Sequence, residues 1–150
     1  MTTIKSILLV EDDMKDVELT VTALSECHLA NEIEIVLDGV EALDYLYHRG
    51  IFAQRPKGNP VVILLDLKLP KLDGIRVLRQ IKSDEKMCSI PIVVLTSSGE
   101  SRDLEECYKL GVNSYVVKPV RFAQFVEAIK KIGAFWVLIN EPPPGCVKTR

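Results

Sequence analysis

Aromatic residues make up only 6% of this 150-residue chain, there are 2 histidines and 4 cysteines, and 19 basic residues nearly balance 21 acidic ones. Each scarcity removes a class of function. Without a run of like charge the surface offers no patch for non-specific nucleic-acid binding or for an anionic membrane. No apolar stretch approaches the roughly 20 residues of a membrane span, and residues 1–6 are too few and too polar to precede a secretory core. The expectation is therefore a cytoplasmic protein with neither nucleic acid nor membrane as partner. Cys27, Cys88, Cys107 and Cys146 are widely spaced, form no C-x-x-C pair and have no His cluster nearby. That argues against a zinc site or a disulfide framework and leaves small buried or surface thiols. What remains is a chain with 47% apolar residues, long enough for one core and little more.

Five short apolar runs rich in β-branched residues recur at 4–10, 33–37, 61–65, 92–95 and 114–117. Continuous rather than alternating runs imply strands covered on both faces. Between them the period becomes helical: Val17, Val21, Leu24; Val40, Leu43, Leu46; Ile75, Leu78, Ile81; Leu104, Cys107; Phe122, Phe125, Ile129, Ile132. Asp38 stands three residues before Glu41 as in a capping box, and Asp73-Gly74 opens the third helical stretch. Strand and helix alternating in this way predict a parallel sheet with right-handed crossovers, a three-layer doubly wound (βα)5 α/β domain. The Gly/Pro-containing stretch 49–60 is long for a connection and reads as surface decoration. Gly133 reads as a helix stop, after which Phe135, Trp136, Val137, Leu138 and Ile139 form an apolar run that something must bury.

In open parallel sheets ligands bind at the carboxyl ends of the strands, near the point where strand order reverses. The first strand ends in Val10-Glu11-Asp12-Asp13, the third in Leu65-Asp66, the fourth in Leu95-Thr96-Ser97-Ser98 and the fifth in Val117-Lys118-Pro119. If the strands follow the flavodoxin-like order 2-1-3-4-5, Glu11, Asp12 and Asp66 converge. Two carboxylates about 4 Å apart repel by about 4 kcal/mol at an effective dielectric near 20, so three call for a compensating cation. An all-oxygen site that keeps water suits Mg²⁺. Lys118 adds a positive charge and Thr96 a hydroxyl donor, a constellation suited to phosphoryl transfer onto a carboxylate. Taken singly, an Asp after a strand is more often a helix N-cap than a ligand; the weight lies in four strand ends read together.

Over residues 4–132 these motifs, extended by Lys68-Leu69-Pro70-Lys71-Leu72-Asp73-Gly74 after Leu67 and by Tyr115-Val116 before Val117, resemble the receiver domain of two-component response regulators. The resemblance implies that Asp66 is the phosphoacceptor. It also implies Mg²⁺ held by Asp12, Asp66 and the backbone carbonyl of Lys68, with Glu11 acting through a metal-bound water and Asp13 left as a helix cap. Lys118 would contact the phosphoryl oxygens, with a cis bond to Pro119, and Thr96 and Tyr115 would form the switch pair. Lys68 places a long cation where many receivers carry a small or uncharged residue, so its ammonium would bias phosphate lifetime.

The long loop and the Phe-Trp tail are similar to the small response regulators paired with bacterial and cyanobacterial phytochromes. That likeness implies a photoreceptor-bearing histidine kinase as phosphodonor and a homodimer, with Phe135 to Ile139 either docked on a second copy or folded back on the last helix. The expected organisation is a receiver over 1–134 and a C-terminal extension over 135–150 without an output domain. Three other functions fit less well. A haloacid-dehalogenase-type phosphatase needs an Asp at position 68, where Lys stands, and a flavodoxin-like electron carrier needs a phosphate loop where Glu11-Asp12-Asp13 would repel it. A receiver-like docking module that no longer takes phosphate would not need the full acidic and basic set.

Overall fold

The structure, a computed structural model, describes residues 3–29, 33–146 and 148–149. Five strands, β1 (Ile7–Val10), β2 (Ile33–Val36), β3 (Val62–Leu65), β4 (Ile92–Thr96) and β5 (Ser114–Val117), form one parallel sheet in the order 2-1-3-4-5. They alternate with α1 (Met14–Glu26), α2 (Gly39–Leu46), α3 (Gly74–Ser83), α4 (Ser101–Leu110) and α5 (Phe122–Gly133). The doubly wound reading thus holds. The continuous apolar runs divide between two cores: Leu8, Val10, Ile63, Leu65 and Val94 meet buried side chains of α2, α3 and α4. Ile7, Leu9, Val62, Leu64, Val93 and Leu95 meet α1 and α5. Successive side chains go to opposite faces and both faces are covered, so the central strands β1 and β3 are apolar at every position, as a parallel sheet demands.

Helix starts are fixed where side chains satisfy the first amides. Asp13 caps α1 by accepting from the Lys15 and Asp16 amides, and Asp73 caps α3 by accepting from the Arg76 amide. Asp38 accepts from the Glu41 amide at 2.8 Å, but the returning Glu41 carboxylate accepts from Leu37 at 2.7 Å rather than from Asp38 itself. Asp13, Asp38 and Asp73 therefore set where the strand-end loops turn into helix.

Gly133 does not stop α5. Its backbone is helical, and the chain continues into a π-helical turn, Ala134–Ile139. The glycine answers a packing demand, since a Cβ there would lie 2.5 Å from Leu24 Cδ2 and 3.1 Å from Leu29 Cδ1. Its absence lets α5 close onto α1. The first expected strand also divides: Thr3–Ile4 pairs antiparallel with Lys148–Thr149, and only Ile7–Val10 enters the main sheet. The 49–60 segment is more than decoration. Arg55 stacks 4.0 Å from the Tyr45 ring centroid, its Nε donates to the Tyr45 carbonyl at 2.6 Å, and the Asn59 amide donates to the Gly145 carbonyl at 2.8 Å. Buried Cys146 then joins the core beneath α2 and α3, so the tail is part of the fold.

Candidate functional site

Strand register decides which side chains meet. Val10 is paired with Leu65, Leu65 with Val94, and Thr96 with Val117. Glu11, Asp66 and Lys118 each follow a strand at the same sheet edge, and backbone bonds carry the alignment past the strand ends. The Asp66 amide donates to Val10 O at 3.1 Å and the Lys118 amide to Thr96 O at 2.7 Å. Glycine at 74 lets α3 start directly against this edge, because a Cβ there would lie 2.2 Å from the Asp66 carbonyl oxygen.

Glu11, Asp12 and Asp66 come together, with one carboxylate oxygen from each lying within 4.8 Å of the others. Glu11 and Asp66 are buried and Asp12 is exposed, so the cluster opens to solvent on one side. Lys118 Nζ donates to Glu11 Oε1 at 2.5 Å, Asp16 Oδ2 at 2.8 Å and Asp66 Oδ2 at 3.1 Å. Burial pushes the Glu11 carboxyl up to about 7, against the hydrogen bond from Lys118, with the neighbouring charge of Asp66 raising it further. Burial opposes the charge on Lys118, but its hydrogen bonds to Asp16 and Glu11 and the charge of Asp66 outweigh that and raise its pKa.

The donor set fits a hard divalent cation. It consists of carboxylate oxygens only, and their mutual spacing stays within what two bonds of about 2.0–2.6 Å can bridge. With one ammonium facing these acids, the site still carries net negative charge, and the exposed Asp12 gives an ion a way in.

The other expected residues fall around this cluster. Lys68 is exposed, and its amide reaches back to Asp66 Oδ1 at 3.4 Å. Thr96 is fully buried at the end of β4, and its Oγ1 accepts from the Ser98 amide at 3.4 Å. The Tyr115 hydroxyl donates to the Ser98 carbonyl at 2.7 Å. The bond between Lys118 and Pro119, expected to be cis, is trans: no cis peptide occurs among the described residues. Trans is the lower form even before proline, by about 0.5–1 kcal/mol, and the ammonium reaches all three carboxylates from it.

The run from Phe135 to Ile139 does not act as one unit. Val137 is buried and Trp136 packs against the α1/α5 core, while Phe135, Leu138 and Ile139 are exposed. Folding back and outward display are therefore both realised, by different residues. Sequence reasoning missed Asp16, which reaches Lys118 from the first turn of α1, and gave no separate role to Ser98, whose Oγ donates to Asp103 Oδ2 at 2.6 Å. The only signal for Asp16 was its place one helical turn beyond the Asp13 cap.

The profile of the response regulator receiver domain family matches residues 7–130. The chain belongs to that family. It is 41% identical over 138 residues to the probable methanogenesis regulatory protein FilR2 of Methanothrix harundinacea, covering 91% of this chain and 86% of the relative. It is 38% identical over 133 residues to the response regulator Rcp1 of Synechocystis sp., covering 89% of each. The crystal structure of the Mn²⁺-bound form of Rcp1 superposes with a TM-score of 0.86 at 37% identity, over 93% of this chain and 99% of that one. The bacteriophytochrome response regulator RtBRR is 57% identical, with a TM-score of 0.75 over 95% of this chain and 86% of that one. The chain is thus a receiver related to the small phytochrome response regulators. No helix among the described residues is long and apolar enough to cross a membrane.

Proposed function

We propose that the chain is a single-domain response regulator that accepts a phosphoryl group on Asp66 from a phytochrome-type histidine kinase, with Mg²⁺, in the cytoplasm, and signals through protein contacts. One observation carries this reading: the buried Asp66 carboxylate faces the ammonium of Lys118 at 3.1 Å while sharing an all-oxygen cluster with Glu11 and Asp12. In the reaction an Asp66 oxygen attacks the phosphorus of a phosphohistidine, the P–N bond breaks, and the imidazole leaves with a proton. Asp12, Asp66 and the Lys68 carbonyl would hold Mg²⁺, with Glu11 contributing through a water, and the ion would supply charge neutralisation for the phosphoryl oxygens. Lys118 turns an N–H from Asp66 to the new phosphoryl group. The Thr96 hydroxyl is drawn toward that group, and Tyr115 loses the Ser98 carbonyl that now holds its hydroxyl. The population of the surface formed by α4, β5 and α5 shifts accordingly.

Label from acetyl phosphate with Mg²⁺ is expected on the native chain and not on Asp66→Asn, read by gel autoradiography; label surviving in the Asn variant rejects the assignment. Lys68→Asn is expected to change the autodephosphorylation rate, and equal half-lives for the two proteins would remove the role given to that ammonium. The phytochrome-type donor is supported by the likeness to Rcp1 and RtBRR. Phosphotransfer to this chain should be faster from a bilin-carrying histidine kinase than from a kinase with no photoreceptor.

The tail supports self-association through the residues left outside. Phe135, Leu138 and Ile139 are exposed on one turn, and contiguous apolar surface marks interaction sites. Truncation at Gly133 would also strip Val137 and Cys146 from the cores, so a gentler test is needed. Leu138→Glu with Ile139→Glu is expected to convert a homodimer to monomer in sedimentation; an unchanged sedimentation coefficient rejects the docking role.

A further inference from the structure

We propose that Asp16 is a positioning residue that holds the Lys118 ammonium back from Asp66 and thereby weakens the site's grip on a phosphoryl group. The inference deepens the phosphoacceptor reading above and rests on it.

An ammonium has three N–H donors. In Lys118 all three are committed, to Glu11 at 2.5 Å, Asp16 at 2.8 Å and Asp66 at 3.1 Å. Asp66 is the most distant of the three, although it is the group on which charge must build. Glu11 cannot yield, because it is buried at the end of β1. Asp16 sits on the first turn of α1 with its side chain 22% exposed, so water can take over its hydrogen bonds when the ammonium leaves. It is therefore the partner that opens most easily.

The charge count makes the competition real. Glu11, Asp16 and Asp66 share a single ammonium, Asp12 lies beside Glu11 and Asp66, and a phosphoryl group on Asp66 adds further negative charge. Asp16 is outside the metal-ready cluster of Glu11, Asp12 and Asp66. Its charge therefore acts on the phosphoryl site through Lys118, by drawing one N–H away from the phosphoryl oxygens.

Beryllium trifluoride, a tetrahedral mimic of the phosphoryl group, tests this with Mg²⁺ saturating. Removing one unit charge that shares the ammonium should tighten binding about tenfold. Asp16→Asn is therefore expected to bind the mimic about tenfold more tightly than the native chain, by calorimetry and by the ¹⁹F resonance of the bound form. Its affinity for Mg²⁺ alone should fall no more than about threefold, which separates the effect from general loss of structure. Asp16→Glu, which keeps the charge, should return the mimic's affinity to within about threefold of native. Asp16→Ser repeats the measurement should Asp16→Asn fail to fold. Equal or weaker binding by the uncharged variant overturns the proposal, as does equal tightening by Asp16→Glu. A native chain that binds no mimic with Mg²⁺ overturns the receiver reading as well, whereas native binding with an unchanged Asp16→Asn removes this inference alone.

Discussion

Lys118→Met is expected to lower the melting midpoint by about 6–20 °C at pH about 8, by much less at pH about 5, and to reduce phosphoryl incorporation at least a hundredfold. The ammonium is the sole cation bonded to the buried carboxylates of Glu11 and Asp66 among the described residues. Removing one partner of a buried pair costs about 3–5 kcal/mol, and a domain of this length loses about 2–4 °C per kcal/mol. The pH dependence follows from Glu11. Burial already raises its carboxyl to about 7, and the hydrogen bond from Lys118 is what opposes that rise. Without the lysine the folded protein holds the Glu11 proton to higher pH. A group whose folded pKa lies above its unfolded value stabilises the fold at low pH and loses that contribution as pH rises through the folded pKa. The variant should therefore approach native stability in acid and fall away through neutrality, with Mg²⁺ restoring part of the loss at pH about 8. Thermal melts of both proteins at the two pH values check this; a deficit of equal size at both would show that Lys118 does not compensate Glu11.

Gly74→Ala should cost about 2–4 kcal/mol and weaken Mg²⁺ binding about tenfold, the two effects appearing together. The added Cβ would lie 2.2 Å from the Asp66 carbonyl oxygen and 2.6 Å from Leu67 Cα, both backbone atoms that cannot swing aside. Either the start of α3 retreats or the turn carrying Asp66 does, and the latter displaces one carboxylate of the Glu11–Asp12–Asp66 cluster. Gly99→Ala is the matched control, since its Cβ would meet only Val117 Cγ2, at 4.0 Å. Denaturant unfolding and Mg²⁺ titration of both variants separate the cases. Full Mg²⁺ affinity in a destabilised Gly74→Ala would show that α3 yields and the turn carrying Asp66 does not.

Much of this molecule is legible in its sequence. Strands buried on both faces leave continuous apolar runs, and the polar residues that end them have little freedom, so Glu11, Asp12, Asp66 and Lys118 could be brought together from strand order alone. Asp13, Asp38 and Asp73 were legible as caps because that role depends on residues at most three positions away. What escaped depends on contacts between distant segments. Asp16 reaches Lys118 across 102 positions of sequence, and nothing local distinguishes it from a solvated first-turn acid. Gly133 looks like a terminator in one dimension, whereas its function is set by Leu24 on α1 and by Leu29 in the loop that follows it. The return of 148–149 to Thr3–Ile4 has no periodic signature, because a two-residue ladder is too short to carry one.

The π-helical turn at Ala134–Ile139 has a rotational consequence. An α-helix advances by about 100° per residue, so accommodating one additional residue in a turn swings everything after it by about that angle. In this chain the widened turn is closed by the Asn140 amide bonding to Phe135 O at 2.7 Å, and it points Val137 inward while Leu138 and Ile139 look out. Tightening the same six residues to regular α-helical pitch would rotate that azimuth, turning the outward pair away from its present bearing and presenting a different edge to any neighbour. The direction of the exposed surface at the end of α5 is thus encoded in a local underwinding of the helix, independently of which apolar side chains occupy it.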